Sequence, residues 1–265
     1  MGEIIAYLLL AFVLGVVTGS IVNATVLRTK AGLPLMSRAK CLSCVEPLAW
    51  FDLIPVVSFF ALKGRCRRCS SAIEWQYPAV ELAMGLLFAL FAARIFLGVG
   101  IPPYITGTEH ALLFIRDAIV AVFLVIIFLY DFRFSVIPDR FSIPAVIIVI
   151  LANLVLGAST WSLLLGGLAL GGFFSVQYLV SQGRWVGGGD IRMGLLMGFL
   201  LGLPLGIVAL FWSYVLGAIA GVILIAFGHR KLDSHVPFGT FLALATVIVM
   251  VFGPWMLDWY LGVLS

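Results

Sequence analysis

Two aspartates stand where long apolar runs give way to polar sequence: Asp131, in Tyr130-Asp131-Phe132-Arg133, and Asp190, in Gly187-Gly188-Gly189-Asp190. A carboxylate beside a membrane span is expensive to keep and is a functional candidate by default. Two such groups across one water can divide an acid–base task, because like charges at close range share one proton more readily than they shed both. The base takes a proton from water, the water attacks a carbonyl, and the acid protonates the leaving group. The three glycines before Asp190 supply backbone that bends and lets another chain approach. Asp190 has a structural alternative as a helix N-cap. Asp131 closes a helix, where the macrodipole disfavours negative charge, and no structural role is evident for it. Pro138 stops helix continuation, so Asp139 is placed to cap the next span. With Gly187, Gly188 and Gly189 it is also assigned to the loop lining the site.

A second set is Cys41-Leu42-Ser43-Cys44 and Cys66-Arg67-Arg68-Cys69, all four cysteines of the chain. Paired C-x-x-C motifs in one polar segment favour tetrahedral zinc, because four thiolates can close a small domain that lacks a large core. Two disulfides are the alternative, disfavoured in a reducing cytosol. Trp50, Phe51, Ile54, Val57, Phe59 and Phe60 give the same segment an apolar side that faces a membrane surface or the helices.

The elements that hold these residues are set by composition. The chain has 265 residues, 63% hydrophobic and 11% charged, against roughly 25% charged in a soluble domain. It reads as an all-α polytopic membrane protein. Eight apolar runs fall near 4–27, 75–98, 110–130, 141–157, 161–181, 191–204, 206–228 and 237–262, the sixth short enough to be broken or merged with the seventh. A first helix (1–27), a four-cysteine segment (28–74) and a helical core carrying both aspartates (75–265) make up the expected domains. Glu3, with no Lys or Arg ahead of it, argues against a cleavable signal peptide. Lys and Arg concentrate in cytoplasmic loops. With residues 28–74 inside, alternation puts fourteen of the sixteen basic residues inside too, and both aspartates on that face. A net charge of +4 gives no reason to expect nucleic acid.

Some polar residues have modest expected roles. Gly15-x-x-x-Gly19, Ser20 and Asn23 suit an interhelical face. Glu81 either pairs with a basic residue or joins a polar site. Arg116 and Asp117, at the outer end of the third span, are expected to snorkel. The loop from His229 to His235 is expected to be solvated.

A water held by two acids at a membrane boundary points to peptide hydrolysis. At this level the chain resembles the bacterial type IV prepilin peptidases, aspartic proteases of the GxGD type. Gly19-Ser20-Ile21-Val22-Asn23, Asp52-Leu53-Ile54-Pro55, Tyr77-Pro78-Ala79-Val80-Glu81, Asp131 through Asp139, Gly187 through Arg192 and Val236 through Phe241 carry the likeness in order, with Thr240 where the family usually has proline. The resemblance implies cleavage of the leader of a prepilin or pseudopilin in the bacterial inner membrane, with Asp131 and Asp190 catalytic and the site toward the cytoplasm. It also implies N-methylation of the new amino terminus by S-adenosylmethionine, with no donor-binding residues assigned. Two other classes compete. A transporter or channel would want its acids near mid-bilayer within inverted repeats; a zinc-stabilised scaffold would need no acids at all.

Overall fold

The computed structural model describes residues 2–102, 104–105, 107, 109–227 and 237–264. The expected basic loop from His229 to His235, with Val236 of the last motif, lies outside the described residues. The chain divides into two compact units, Met1–Leu97 and Gly98–Ser265.

The first unit pairs α1 (Gly2–Lys30) with α3 (Gln76–Leu97). Gly15 and Gly19 let the backbones meet: a Cβ on Gly19 would stand 2.7 Å from the Glu81 Cα. This is the small-residue packing that the Gly15-x-x-x-Gly19 spacing predicts. Between the two helices lie a 3-10 turn (Trp50–Leu53), the short α2 (Val57–Ala61) and two isolated bridges, Lys40 to Pro47 and Arg65 to Ala72. Phe59 is buried against Trp75, ring centroids 4.8 Å apart, and forms the small core of this segment.

The second unit holds α4 (Glu109–Phe134), α5 (Asp139–Val155), α6 (Thr160–Ser181), α7 (Gly188–Ala226) and α8 (Phe238–Leu264). α7 packs against α5, α6 and α8, and α4 against α5 and α8. Among the described residues, α1, α3, α4, α6, α7 and α8 are each long and apolar enough to cross a membrane. The protein is a multi-pass membrane protein built almost wholly of helix.

The sixth and seventh expected runs are one assigned element, broken inside. Gly202 has φ 73° and ψ −179°, a region open essentially to glycine alone. Beyond it the chain doubles back: a Cβ on Gly206 would lie 3.9 Å from the Gly198 Cα, whereas eight residues of straight helix span about 12 Å. α7 is therefore two antiparallel arms. Together with the 17-residue α5, the arms account for the eight runs read from the sequence.

This turn is held by a buried network that contradicts the expected snorkelling of Arg116 and Asp117. Both are buried, Asp117 at 0% exposure. Arg116 donates to Asp117 Oδ1 through Nε (3.0 Å) and Nη2 (2.7 Å), and to Asn153 Oδ1 through Nη1 (2.7 Å). Asn153 Nδ2 then donates to the carbonyls of Phe199 (2.7 Å) and Leu200 (3.2 Å). The Leu200 carbonyl would otherwise look to the nitrogen of Pro204, which carries no hydrogen. Asn153 thus satisfies backbone freed by the turn, a need that is acute where no water is available.

Candidate active site and metal centre

Asp131 lies one turn before the end of α4, and its carboxylate reaches the start of α8. Oδ2 accepts from the Thr240 amide (2.7 Å) and the Thr240 hydroxyl (3.1 Å), and the Gly239 amide also points at this group. The sequence offered Asp131 no structural role. The structure supplies one: a carboxylate at the N-terminus of another helix, where free N–H groups and the macrodipole favour negative charge. Asp190 is likewise not the N-cap of α7 but its third residue. Gly187 occupies the cap and donates its N–H to Asp190 Oδ2 at 2.8 Å, while the Asp190 amide returns a bond to the Gly187 carbonyl at 3.1 Å.

Both acids are buried, at 4% and 7% exposure. Among the described residues no cation pairs with either. Each is gripped through Oδ2, by donors at a helix start.

Ile137 sets the spacing of these two helix starts. It is buried. A Cβ on Gly189 would meet it at 2.7 Å and one on Gly239 at 2.5 Å. Glycine at both positions lets α7 and α8 close on a single side chain, which brings Asp190 and Asp131 together. Asp139 does not cap α5: the cap position is Pro138 and no side chain fills it. Instead Asp139 pairs with Arg192 at 2.6 Å, linking the α5 start to the first turn of α7. Gly188 opens α7 with no atom near its Cβ direction. Sequence reasoning missed Ile137, Arg192 and Thr240. Only Thr240 carried a signal, as the departure from proline, which could donate no hydrogen bond there.

The four cysteines converge. Their Sγ atoms all lie within 4.8 Å of one another, and Cys41 and Cys69 are 3.8 Å apart. Tetrahedral zinc with bonds of about 2.3 Å sets its sulfurs at about that separation, and none of the four is in a disulfide, so the set fits a metal ion. Each pair sits on the same turn. The Cys41 amide donates to the Glu46 carbonyl and the Cys66 amide to the Ser71 carbonyl, with Val45 (φ 61°) and Ser70 (φ 57°) in the left-handed region. Backbone N–H groups of Cys44 and Ser43 draw the Cys41 thiol down to about 6, while burial and the neighbouring thiols push Cys44 up to about 11, so the first proton leaves the set easily and the next resists without a metal.

Residues of two further motifs of the first unit meet one another. Asn23 Nδ2 donates to the Tyr77 carbonyl (3.1 Å), Gln76 Nε2 donates to Asn23 Oδ1 (3.4 Å), and Glu81 Oε2 accepts from the Val56 amide (2.7 Å). Glu81 thus serves a polar cluster rather than a basic partner. Val56 needs the anchor: at φ 61° and ψ −54° it forms a tight three-residue turn of the strained kind.

Residues 13–95 match the bacterial peptidase A24 N-terminal domain and residues 118–222 the type IV leader peptidase family. The second match contains both aspartates. A prepilin leader peptidase/N-methyltransferase of Bacillus subtilis is 29% identical over 251 residues, covering 94% of this chain and 96% of that protein. The protein of that name from Aeromonas salmonicida is 30% identical over 233 residues, 86% of this chain and 76% of its own length. One from Pseudomonas aeruginosa is 27% identical over 224 residues, 83% and 73%. No solved structure matches. On that coverage, the chain belongs to the type IV leader peptidase family.

Proposed function

We propose that this protein is a membrane-embedded aspartic endopeptidase that removes the leader of type IV prepilins or pseudopilins, with Asp131 and Asp190 as its catalytic pair, and that it N-methylates the new amino terminus. The observation that carries the proteolytic reading is the pair itself: two buried acids from α4 and α7, held at helix starts that both close on Ile137, with no cation on either among the described residues. One carboxylate takes a proton from a water held between them. The water oxygen attacks the scissile carbonyl, and the other carboxylate protonates the leaving amine as the bond breaks. Anchoring through Oδ2 fixes each acid and leaves Oδ1 to serve the water. Ile137 and the Asp139–Arg192 pair keep the two helix starts in register.

Cys41, Cys44, Cys66 and Cys69 would hold a zinc ion, whose part is to close a segment with little core of its own. The methyl donor would be S-adenosylmethionine, as the family resemblance implies. The polar cluster around Glu81 and Asn23 spends its hydrogen bonds on backbone and on neighbours. The distribution of basic residues favours a bacterial inner-membrane enzyme whose acids face the cytoplasm.

The test is incubation of the reconstituted protein with a prepilin and labelled S-adenosylmethionine, followed by mass measurement of the product's amino terminus. Leader loss with a mass gain of one methyl group is expected. An intact prepilin overturns the proteolytic reading, and a cleaved, unmethylated one overturns only the second activity. Metal analysis should find about one zinc per chain, as a four-thiolate site requires.

A further inference from the structure

α2 is five residues long, too short to cross a membrane. Its inner side carries Phe59, which is buried. Its outer side is apolar and bare. Val57 and Phe60, three residues apart, share that face and are 61% and 56% exposed. Trp75, 68% exposed, extends it, with its ring centroid 6.1 Å from that of Phe60. The three side chains make one exposed apolar patch on a segment whose charged residues are mostly basic.

The depth of the patch is fixed at two points. The Val56 amide, just ahead of α2, donates to Glu81 Oε2 at 2.7 Å. Glu81 stands five residues past Gln76, the first residue of α3, or about 7.5 Å along a membrane-spanning helix. At the other end of α2, Phe60 meets Trp75, which immediately precedes α3. α2 is therefore pinned beside the first two turns of α3, where that span enters the bilayer. Tryptophan is favoured at this level because one end of it is apolar and the other can stay wet.

The charges beside the patch point to its partner. Lys63 and Arg65 follow α2 directly and are exposed. Residues 28–74 carry eight Lys and Arg against three Asp and Glu, and Asp52 and Glu46 are taken by Arg67 and Arg68. Among the described residues no acid pairs with Lys63 or Arg65. An apolar patch edged by unneutralised cations at headgroup depth fits phospholipid, acyl chain against the patch and phosphate against the cations. A second copy of this chain fits worse, because a two-fold contact would bring Lys63 and Arg65 toward their own equivalents. We infer that α2 and Trp75 form an interfacial foot that dips into the phospholipid layer, with Val57, Phe60 and Trp75 among the upper acyl chains and Lys63 and Arg65 on lipid phosphates. The foot fixes the height of the four-cysteine segment against the bilayer, and it does so whether or not the acid pair cleaves peptide.

The test places photoreactive benzoylphenylalanine at Val57, at Phe60 and, as a reference on the outer face of α1, at Leu9, one position at a time. Each protein is reconstituted in phosphatidylglycerol–phosphatidylcholine nanodiscs and irradiated, and its adducts are identified by mass. Phospholipid adducts are expected at positions 57 and 60, as at the Leu9 reference. Adducts of 57 and 60 to another part of this chain or to a second copy overturn the inference. So does the absence of any adduct there while Leu9 still captures lipid. With the probe at position 60, Lys63→Glu together with Arg65→Glu should cut the lipid yield by about tenfold or more, as two reversed charges at an anionic surface require. An unchanged yield overturns the phosphate contacts. Should that double variant fail to fold, Lys63→Gln with Arg65→Gln takes its place, with a smaller loss expected and an unchanged yield again counting against the contacts.

Discussion

α4 carries two buried acids about 21 Å apart, fourteen residues at the helical rise, and they are treated in opposite ways. Asp117 has a guanidinium on it twice over, at 3.0 and 2.7 Å, and that guanidinium is tied through Asn153 to the broken helix. Among the described residues, Asp131 has N–H and O–H donors from the start of α8 and no cation. Burying a charge demands compensation. Where a cation supplies it fully, the group is fixed in one state and serves the fold. Where only dipoles supply it, the group can still exchange a proton. Lack of a counter-ion among the described residues, more than burial, is therefore what singles out the Asp131 end of this helix as the proposed catalytic one.

The contrast predicts crossed outcomes. Asp131→Asn and Asp190→Asn, made separately, should each reduce prepilin cleavage by about 10²–10⁴-fold, the range for losing a positioned acid or base. The melting temperature should change little, since an amide oxygen still accepts from Thr240 or Gly187. Asp117→Asn should do the reverse. It leaves Arg116 buried without its counter-charge, which destabilises by about 3–5 kcal/mol, and cleavage per folded molecule should stay near wild type. Thermal unfolding in detergent alongside cleavage of one prepilin measures both. Near-normal cleavage by either Asp131→Asn or Asp190→Asn, or an inactive but fully stable Asp117→Asn, breaks the comparison.

Thr240 sharpens it. The family usually has proline at this position, and Pro is acceptable in the first turn of a helix, so Thr240→Pro should fold and still cleave. It removes both donors at Asp131 Oδ2 and leaves the Gly239 amide on that carboxylate. The kcat should fall by no more than about tenfold, well short of the loss in Asp131→Asn, and Thr240→Ser, which keeps the amide and a hydroxyl, should match the wild type. A loss in Thr240→Pro as deep as that of Asp131→Asn would mean that Thr240 alone positions the acid in this chain.

The sequence made the helices and the acids visible but not their partners. Spans announce themselves because lipid admits only long apolar helix. The cysteines did so because thiolate spacing is tied to metal geometry. The Gly202-Leu203-Pro204 turn lay inside an unbroken apolar run, where composition gives no boundary. Asp131 meets Thr240 across 109 positions, and nothing local encodes that pairing, so an acid with a helix start to receive it looked unexplained. Arg116 and Asp117 were misread for a related reason. Snorkelling is the default for a charge near a helix end, and the need for Asn153 and its cation arises only once the turn in α7 exposes two carbonyls.

Asp139 and Arg192 give the mildest test, because they form an ion pair away from the core. Asp139 is 62% exposed and Arg192 28% at the side chain, and such pairs contribute about 0.2–1 kcal/mol. A double-mutant cycle with Asp139→Asn and Arg192→Gln should therefore give a stability coupling inside that range. If the pair keeps α7 in register, each single variant should also slow cleavage a few-fold, and the double variant should be no slower than the worse single. Additive losses in activity would show instead that Asp139 and Arg192 act separately on the substrate. The pair would then belong with the reactive acids and not with the supports that hold them.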